Sequence, residues 1–397
     1  MEKKEEFIRV GTTLYKIVDQ PRIDGGYVRK RIAWNSETLR QDYGKDYMAS
    51  VPKYDGFCTV PDHVDYKPVV GKFLNLYEPI SHRPQEGDFP CIRSLVEHIF
   101  GEQYELGMDY LQLLYLYPIQ KLPILLLVSE ERNTGKSTFL NFLKAIFQNN
   151  VTFNTNEDFR SQFNSDWADK LLIMVDEVLL NRREDSERLK NLSTTLSYKV
   201  EAKGKDRDEI GFFAKFVLCS NNEHLPVIID VGETRYWVRK IVPLQSDDTD
   251  FLQKLKTEIP AFLHFLQHRR LSTGKESRMW FNPKLLETDA LRKIIRSNRN
   301  RLEIEMAELL LDIMASMDVE SVSFCLNDII PLLVCSQVKV EKSQVRKVVQ
   351  ECWKLTPASN SLSYTTYQCD YSRECGYSPV KRIGRYYTAS KAQLETF

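Results

Sequence analysis

The chain has 397 residues, enough for two or three domains. Its hydrophobic share of 42% and charged share of 28% are those of a globular protein, which excludes a chain dominated by disorder. Lys plus Arg and Asp plus Glu number 55 each, so no global field draws the protein to nucleic acid, and such binding must come from local patches.

None of the eight cysteines forms a C-x-x-C pair, which favours reduced packing residues over zinc ligands or disulfides. The opening MEKKEEF lacks the apolar core of a signal peptide, and ILLLV (Ile124 to Val128) is too short to span a bilayer. The expectation is a cytosolic protein with no membrane partner.

Residues 1–88 are rich in Tyr, Pro, Gly and charge, with short alternating pieces such as TLYKIV and GYVRKRIAW. They predict a small β-containing or irregular accessory region, a possible partner dock. Residues 89–122 turn helical: SLVEHIF and YELGMDYLQLLYLY repeat apolar residues every three or four positions, a helical collar. Pro123 then opens ILLLV, a run expected as a parallel strand buried on both faces. After the segment SEERNTGKST, STFLNFLKAIFQNN puts Phe139, Leu140, Phe142, Leu143, Ile146 and Phe147 on one helical stripe. KLLIMVDEV and FAKFVLCSNN are two further buried strands, and DFLQKLKTEIPAFLHFLQHRRL is a long amphipathic helix. These elements delimit an α/β domain over 123–271. A polar, Arg-dotted helical linker spans 272–317, and a separate unit spans 318–397.

The chemistry concentrates after ILLLV. Gly135, Lys136 and Ser137 match the second half of the phosphate loop G-x-x-x-x-G-K-[ST], placed between strand and helix as phosphate binding requires. The N–H groups of Asn133, Thr134, Gly135, Lys136, Ser137 and Thr138 would cradle ATP phosphates. Lys136 would reach the β- and γ-phosphates, and Ser137 would offer its hydroxyl to Mg²⁺. Glu130 stands where the first glycine belongs. Glutamate takes a positive φ only with strain, so the loop entry is expected to differ in backbone while Glu130 turns to solvent and the cradle survives.

LLIMVDEV ends in Asp176 and Glu177, at the strand end where ligands sit in open α/β sheets. Asp176 would hold Mg²⁺ through water and Glu177 would polarise the attacking water. FVLCSNN reaches Ser220 and Asn221, an amide able to sense the γ-phosphate. GETRYWVRKIVP supplies Arg235 and Arg239, either of which could act in trans on a transferring phosphoryl group.

In that order these motifs resemble the superfamily 3 helicases, in particular the helicase module of phage and poxvirus-type primase-helicases. The resemblance covers roughly Gly87 to Leu271. It implies an AAA+-type P-loop NTPase core that uses ATP and Mg²⁺, assembles as a homo-oligomer, a hexamer on the family pattern, and moves along single-stranded or forked DNA in replication of a phage or mobile element. It assigns Lys136, Ser137, Asp176, Glu177 and Asn221 to one subunit's site and Arg235, with Arg239 second, to the neighbour's. It also implies a channel-facing basic hairpin, for which VEAKGKDRDEI supplies Lys203 and Lys205. A separate primase is a further partner it admits.

At the C-terminus, FCLNDIIPLL and KSQVRKVVQECWKL read as two helices, the second with Val345, Val348, Val349, Cys352 and Trp353 on one face. SYTTYQ and GRYYTAS flank SPVKRIGR, read as a hairpin with a basic tip. Helix, helix and hairpin is the layout of a winged-helix-like DNA-binding domain, with Lys381, Arg382 and Arg385 placed to touch phosphates. Two other functions stay open on the residues alone: an ATPase initiator or loader that does not unwind processively, and a non-enzymatic DNA-binding assembly protein with a degenerate nucleotide site.

Overall fold

Unbroken apolar runs form the central strands of this computed structural model, and apolar residues at helical spacing form the helices that cover them. It describes residues 6–21, 27–161, 167–180, 182–200, 208–230, 232–244, 248–298, 301–336, 340–370, 372 and 376–396. The chain divides into two units, one of Met1–Val227 and Thr234–Leu291, the other of Ile228–Glu233 and Arg292–Phe397.

The first unit begins with strands β1 (Glu6–Val10), β2 (Thr13–Pro21), β3 (Tyr27–Trp34) and β4 (Lys53–Tyr54), in sheet order β3-β2-β1-β4. Phe7, Leu14, Leu39 and Val51 fill a small core between this sheet and helices α1 (Ser36–Tyr43) and α2 (Tyr47–Ser50). A second small sheet joins β5 (Gly56–Cys58), β6 (Val69–Val70) and β7 (Phe73–Asn75). Half-buried His63 fixes the next stretch to the helical layer. Its Nδ1 lies 2.7 Å from the Tyr115 carbonyl and its Nε2 2.7 Å from the Tyr77 hydroxyl.

Helices α3 (Pro90–Phe100) and α4 (Tyr104–Leu116) precede the main sheet. That sheet comprises β8 (Ile124–Val128), β9 (Val151–Phe153), β10 (Leu172–Val175), β13 (Lys215–Ser220) and β14 (Tyr236–Lys240). Between β10 and β13 the chain forms α6 (Arg183–Thr194) and a hairpin, β11 (Ser197–Val200) with β12 (Asp208–Gly211). The sheet order is β14-β8-β13-β10-β9 and every pairing is parallel. This arrangement is consistent with a P-loop NTPase core. β8, β10 and β13 are buried at every residue, as parallel strands covered on both faces must be. α5 (Lys136–Phe147) buries all six residues of its predicted stripe, each worth about 1.5–3 kcal/mol of transfer free energy. α7 (Phe251–His268) packs against α3, α4 and α5.

β9 and β14 are strands that sequence patterning does not mark. β9 is three residues long. β14 carries Arg239 and Lys240 in an otherwise apolar run, and charge argues against a buried strand. Tertiary structure overrides that signal: the Arg239 guanidinium is bound by Glu102, Gln103 and the Phe100 carbonyl.

α8 (Asp289–Ser297) runs across the division, and the second unit continues with α9 (Arg301–Met317), β15 (Ser321–Phe324), α10 (Leu326–Cys335) and α11 (Lys342–Lys347). Strands β16 (Leu362–Cys369), β17 (Tyr377–Gly384) and β18 (Tyr387–Ser390) and helix α12 (Lys391–Thr396) complete it. Met306, Leu310 and Ile313 of α9 sit in its core with Ile329, Leu333, Val345, Val349 and Trp353. β16 pairs with β17 and β15 with β18, both antiparallel.

Here the sequence reading of the hairpin needs correction. SPVKRIG is not a basic tip but the body of strand β17, with Lys381 opposite Thr365 and Arg382 opposite Tyr364. β17 pairs only with β16 among the described residues, and an edge strand tolerates its Pro379. No helix among the described residues is long and apolar enough to cross a membrane.

Candidate functional site

β8 lies between β13 and β14, so the chain leaving Val128 emerges at the carboxyl edge beside the ends of both neighbours. The Ser129 N–H donates to the Ser220 carbonyl at 3.2 Å, and Ile241 N–H to the Val128 carbonyl at 2.8 Å. The loop then turns through two left-handed residues, Asn133 with φ 53° and Gly135 with φ 79°. A side chain at Gly135 would be strained there, which explains the glycine immediately before the helix. The Asn133 carbonyl accepts from Leu244 N–H at 2.9 Å, and the Thr134 carbonyl lies 3.0 Å from His98 Nε2. The loop is thereby held from both sides. Thr138, on the first turn of α5, is half-buried.

Glu130 is not among the residues of positive φ, and its side chain is 58% exposed. Its carboxylate lies 3.2 Å from His224 Nε2, which ties the loop entry to the segment after β13. The loop obtains its left-handed turns at Asn133 and Gly135, so the missing first glycine is accommodated.

Lys136 is buried, and its ammonium donates to Ser129 Oγ and, at 3.0 Å, to Thr134 Oγ1. Burial pulls its pKa below the usual lysine value, opposed by the nearby carboxylates of Asp176, Glu223 and Glu177. Ser137 Oγ donates to Asp176 Oδ2 at 2.7 Å, joining the loop to the end of β10. Asn221 Nδ2 donates to Glu177 Oε1 at 3.3 Å, joining the end of β13 to the same point. Glu177 has φ 63°, a conformation that costs a non-glycine residue about 1–3 kcal/mol and that clusters at functional sites. The structure therefore brings Lys136, Ser137, Asp176, Glu177 and Asn221 to one edge of one sheet.

Arg235 is elsewhere. It precedes β14, and its carbonyl accepts from Ile124 N–H, the first residue of β8, at 2.8 Å. It sits at the amino edge, and a strand of five residues separates the two edges by roughly 16 Å. Arg239 is buried and engaged by Glu102 within its own chain. Lys203 and Lys205 lie outside the described residues, between β11 and β12. In the second unit Lys381 is exposed, Arg382 donates to buried Asp328 at 2.7 Å, and Arg385 Nε donates to the Ala358 carbonyl at 3.0 Å.

Sequence reasoning missed two participants. Glu223, 2% exposed, accepts from Lys240 Nζ at 3.1 Å close behind the loop. Ser129 supplies the oxygen that receives the Lys136 ammonium. A hydroxyl at the end of an apolar strand is a weak signal for the second, and none exists for the first.

A family of unknown function, DUF5906, matches residues 127–236, the stretch from the end of β8 to the start of β14. No curated protein matches the chain in sequence. Among solved structures, the A form of the apo NrS-1 C-terminal region aligns over 94% of this chain and 94% of its own, with a TM-score of 0.63 and 17% identity. An apo structure of NrS-1 residues 305–718 aligns over 89% of this chain and 84% of its own, with a TM-score of 0.59 and 19% identity. The chain shares the fold of these structures. A JCV helicase bound to a small molecule overlaps 58% of this chain and 65% of its own at 14% identity, and its TM-score of 0.31 carries no argument about fold.

Proposed function

We propose that the protein is an ATP-dependent, ring-forming DNA helicase with an AAA+-type core, acting in replication of a phage or mobile element. One observation carries the reading: Ser137 meets Asp176 and Asn221 meets Glu177 at the edge where the Lys136 loop emerges. A hydroxyl and a carboxylate 2.7 Å apart are the hard oxygen donors that suit Mg²⁺, which keeps several waters and needs few protein ligands. On binding ATP, Lys136 exchanges its Ser129 contact for phosphate oxygens, and the loop N–H groups with the α5 N-terminus hold the remaining charge. Glu177, aimed by Asn221, takes the proton of the attacking water. That amide couples the geometry of Glu177 to occupancy of the site.

Arg235 lies at the amino edge, away from its own chain's Lys136, so a part in hydrolysis would require a neighbouring copy's site. The order α9, β15, α10, α11, then the β16–β17 hairpin supports a winged-helix-like reading of the second unit, with Lys381, Arg382 and Arg385 exposed on it. The Lys203–Lys205 hairpin would grip the DNA backbone. The proposed order is an accessory region over 1–88, a helical collar over 89–122, the ATPase core over 123–271 and a DNA-binding unit over 318–397, with α9 of the expected 272–317 linker packed into that last unit's core.

The test is ATP turnover with and without single-stranded DNA. The intact protein turns over ATP and DNA accelerates it. Lys136→Ala loses nucleotide binding, whereas Glu177→Gln binds nucleotide and fails to hydrolyse it. Binding without turnover in the intact chain would leave a switch or scaffold. Turnover without strand displacement on a fork would leave an initiator or loader.

A further inference from the structure

The β2–β3 ribbon carries a surface that the ATPase reading does not use. β3 is an edge strand with β2 as its sole neighbour among the described residues. Among the described residues the last β1 pairing is Glu6 with Ile17, and the ribbon continues through Val18–Lys30, Asp19–Arg29, Gln20–Val28 and Pro21–Tyr27. Asp19, Gln20, Pro21, Tyr27 and the run Arg29 to Ile32 are exposed, Tyr27 at 71%. The described residues of β2 and β3 hold four cations, Lys16, Arg29, Lys30 and Arg31, against Asp19 alone. In a chain of zero net charge that is a local concentration of positive charge.

Side chains alternate along a strand, so Lys30 points from one face of the ribbon and Arg29 and Arg31 from the other. Arg29 is bonded to Glu6. Arg31 lies over the Phe57 ring at 5.8 Å, which fixes its direction. Neither Lys30 nor Arg31 has an acidic partner among the described residues.

We propose that this ribbon docks in the major groove of double-stranded DNA, with Lys30 facing the phosphates of one wall and Arg31, with Arg29, those of the other. A two-stranded ribbon is the width the B-form major groove admits; β2 and β3 reach that width from the Val18–Lys30 pair outward, with Arg31 at its base opposite Ile17, and cations on both faces match a groove walled by phosphate on both sides. The deep, narrow major groove of duplex RNA does not admit it. Single-strand binding relies on a row of aromatic faces, whereas the ribbon exposes Tyr27 alone: Tyr15 packs on Phe57 and Trp34 lies under Lys16.

The experiment is fluorescence anisotropy of the full chain, without nucleotide, on a labelled duplex and on a single strand of equal length across a salt series. For K30Q/R31Q the slope of log affinity against log salt on duplex becomes shallower by about 2, one unit for each lost phosphate contact. Single-strand binding is unchanged. Lys136→Ala keeps the wild-type slope, so the result stands or falls separately from ATP turnover. An unchanged duplex slope overturns the proposal, as does an equal loss on the single strand. Self-association of the variant with DNA affinity intact overturns it as well, since the cations would then only guard an open edge. If the double variant does not fold, K30Q alone, at an exposed side chain, must flatten the slope by about 1.

Discussion

Glu130 decides whether the loop is a working variant, and its position makes the outcome testable. Its side chain is largely exposed beside His224 and its backbone avoids the left-handed region. Restoring the common pattern with Glu130→Gly should therefore change turnover by no more than about twofold, the rate equivalent of a surface change of about 0.5 kcal/mol. A larger gain in a steady-state assay would mean that the glutamate restrains the site. His63 gives a pH prediction at the same scale. Burial is the main cause that lowers its pKa to about 4, against about 6.5 when unfolded. Between those values the unfolded chain binds the extra proton, so stability is retained above about 6.5 and lost as pH falls toward about 4. Thermal unfolding from pH 7 to pH 4 should show this loss, and His63→Gln should flatten it.

At the scale of elements, two close contacts set what the helices tolerate. A Cβ at Gly107 in α4 would lie 2.3 Å from the Phe100 ring at the end of α3. Gly107→Ala should destabilise the first unit by about 1–3 kcal/mol through overpacking, read as a lower denaturant midpoint with an unchanged slope. In the second unit Asp328 accepts from Cys325 N–H at 2.8 Å, from the Tyr364 hydroxyl at 2.6 Å and from Arg382. It locks the start of α10 to the β16–β17 hairpin. Asp328→Asn leaves buried donors underserved and should cost about 1–3 kcal/mol in chemical unfolding. Arg382 is thus partly a structural residue, and its replacement should affect stability as well as any DNA contact.

For the whole molecule, the proposed trans role of Arg235, which lies at the opposite sheet edge from Lys136, predicts that activity requires assembly. Arg235→Ala has an intact loop and Lys136→Ala an intact arginine, so each alone should be inactive. Mixed, they should recover part of the turnover, because some interfaces combine the good loop with the good arginine. ATPase activity per chain should also rise with protein concentration through the assembly range. No recovery on mixing, with both variants folded, would remove Arg235 from the site.

Much of the candidate site is legible in sequence because its groups sit at strand ends. An apolar run followed at once by Asp176–Glu177 or Ser220–Asn221 fixes both the strand and the edge where its polar residues emerge. The helical stripe of α5 is legible for the same reason: burial on one face imposes a period. What depends on partners distant in sequence is not legible. Arg239 reads as a free cation until Glu102 is placed beside it, and Glu223 reads as a loop carboxylate until Lys240 covers it. The basic segment of β17 reads as a hairpin tip because alternating pieces flank it, and its pairing with β16 is set by partners that the local pattern does not name. The sequence by itself determined the identities of β8, β10 and β13, the loop and the order of the acidic and amide residues. Only the tertiary structure decided the sheet order that brings them together and sends Arg235 to the opposite edge, because strand order follows from which faces pack and not from any residue pattern along the chain.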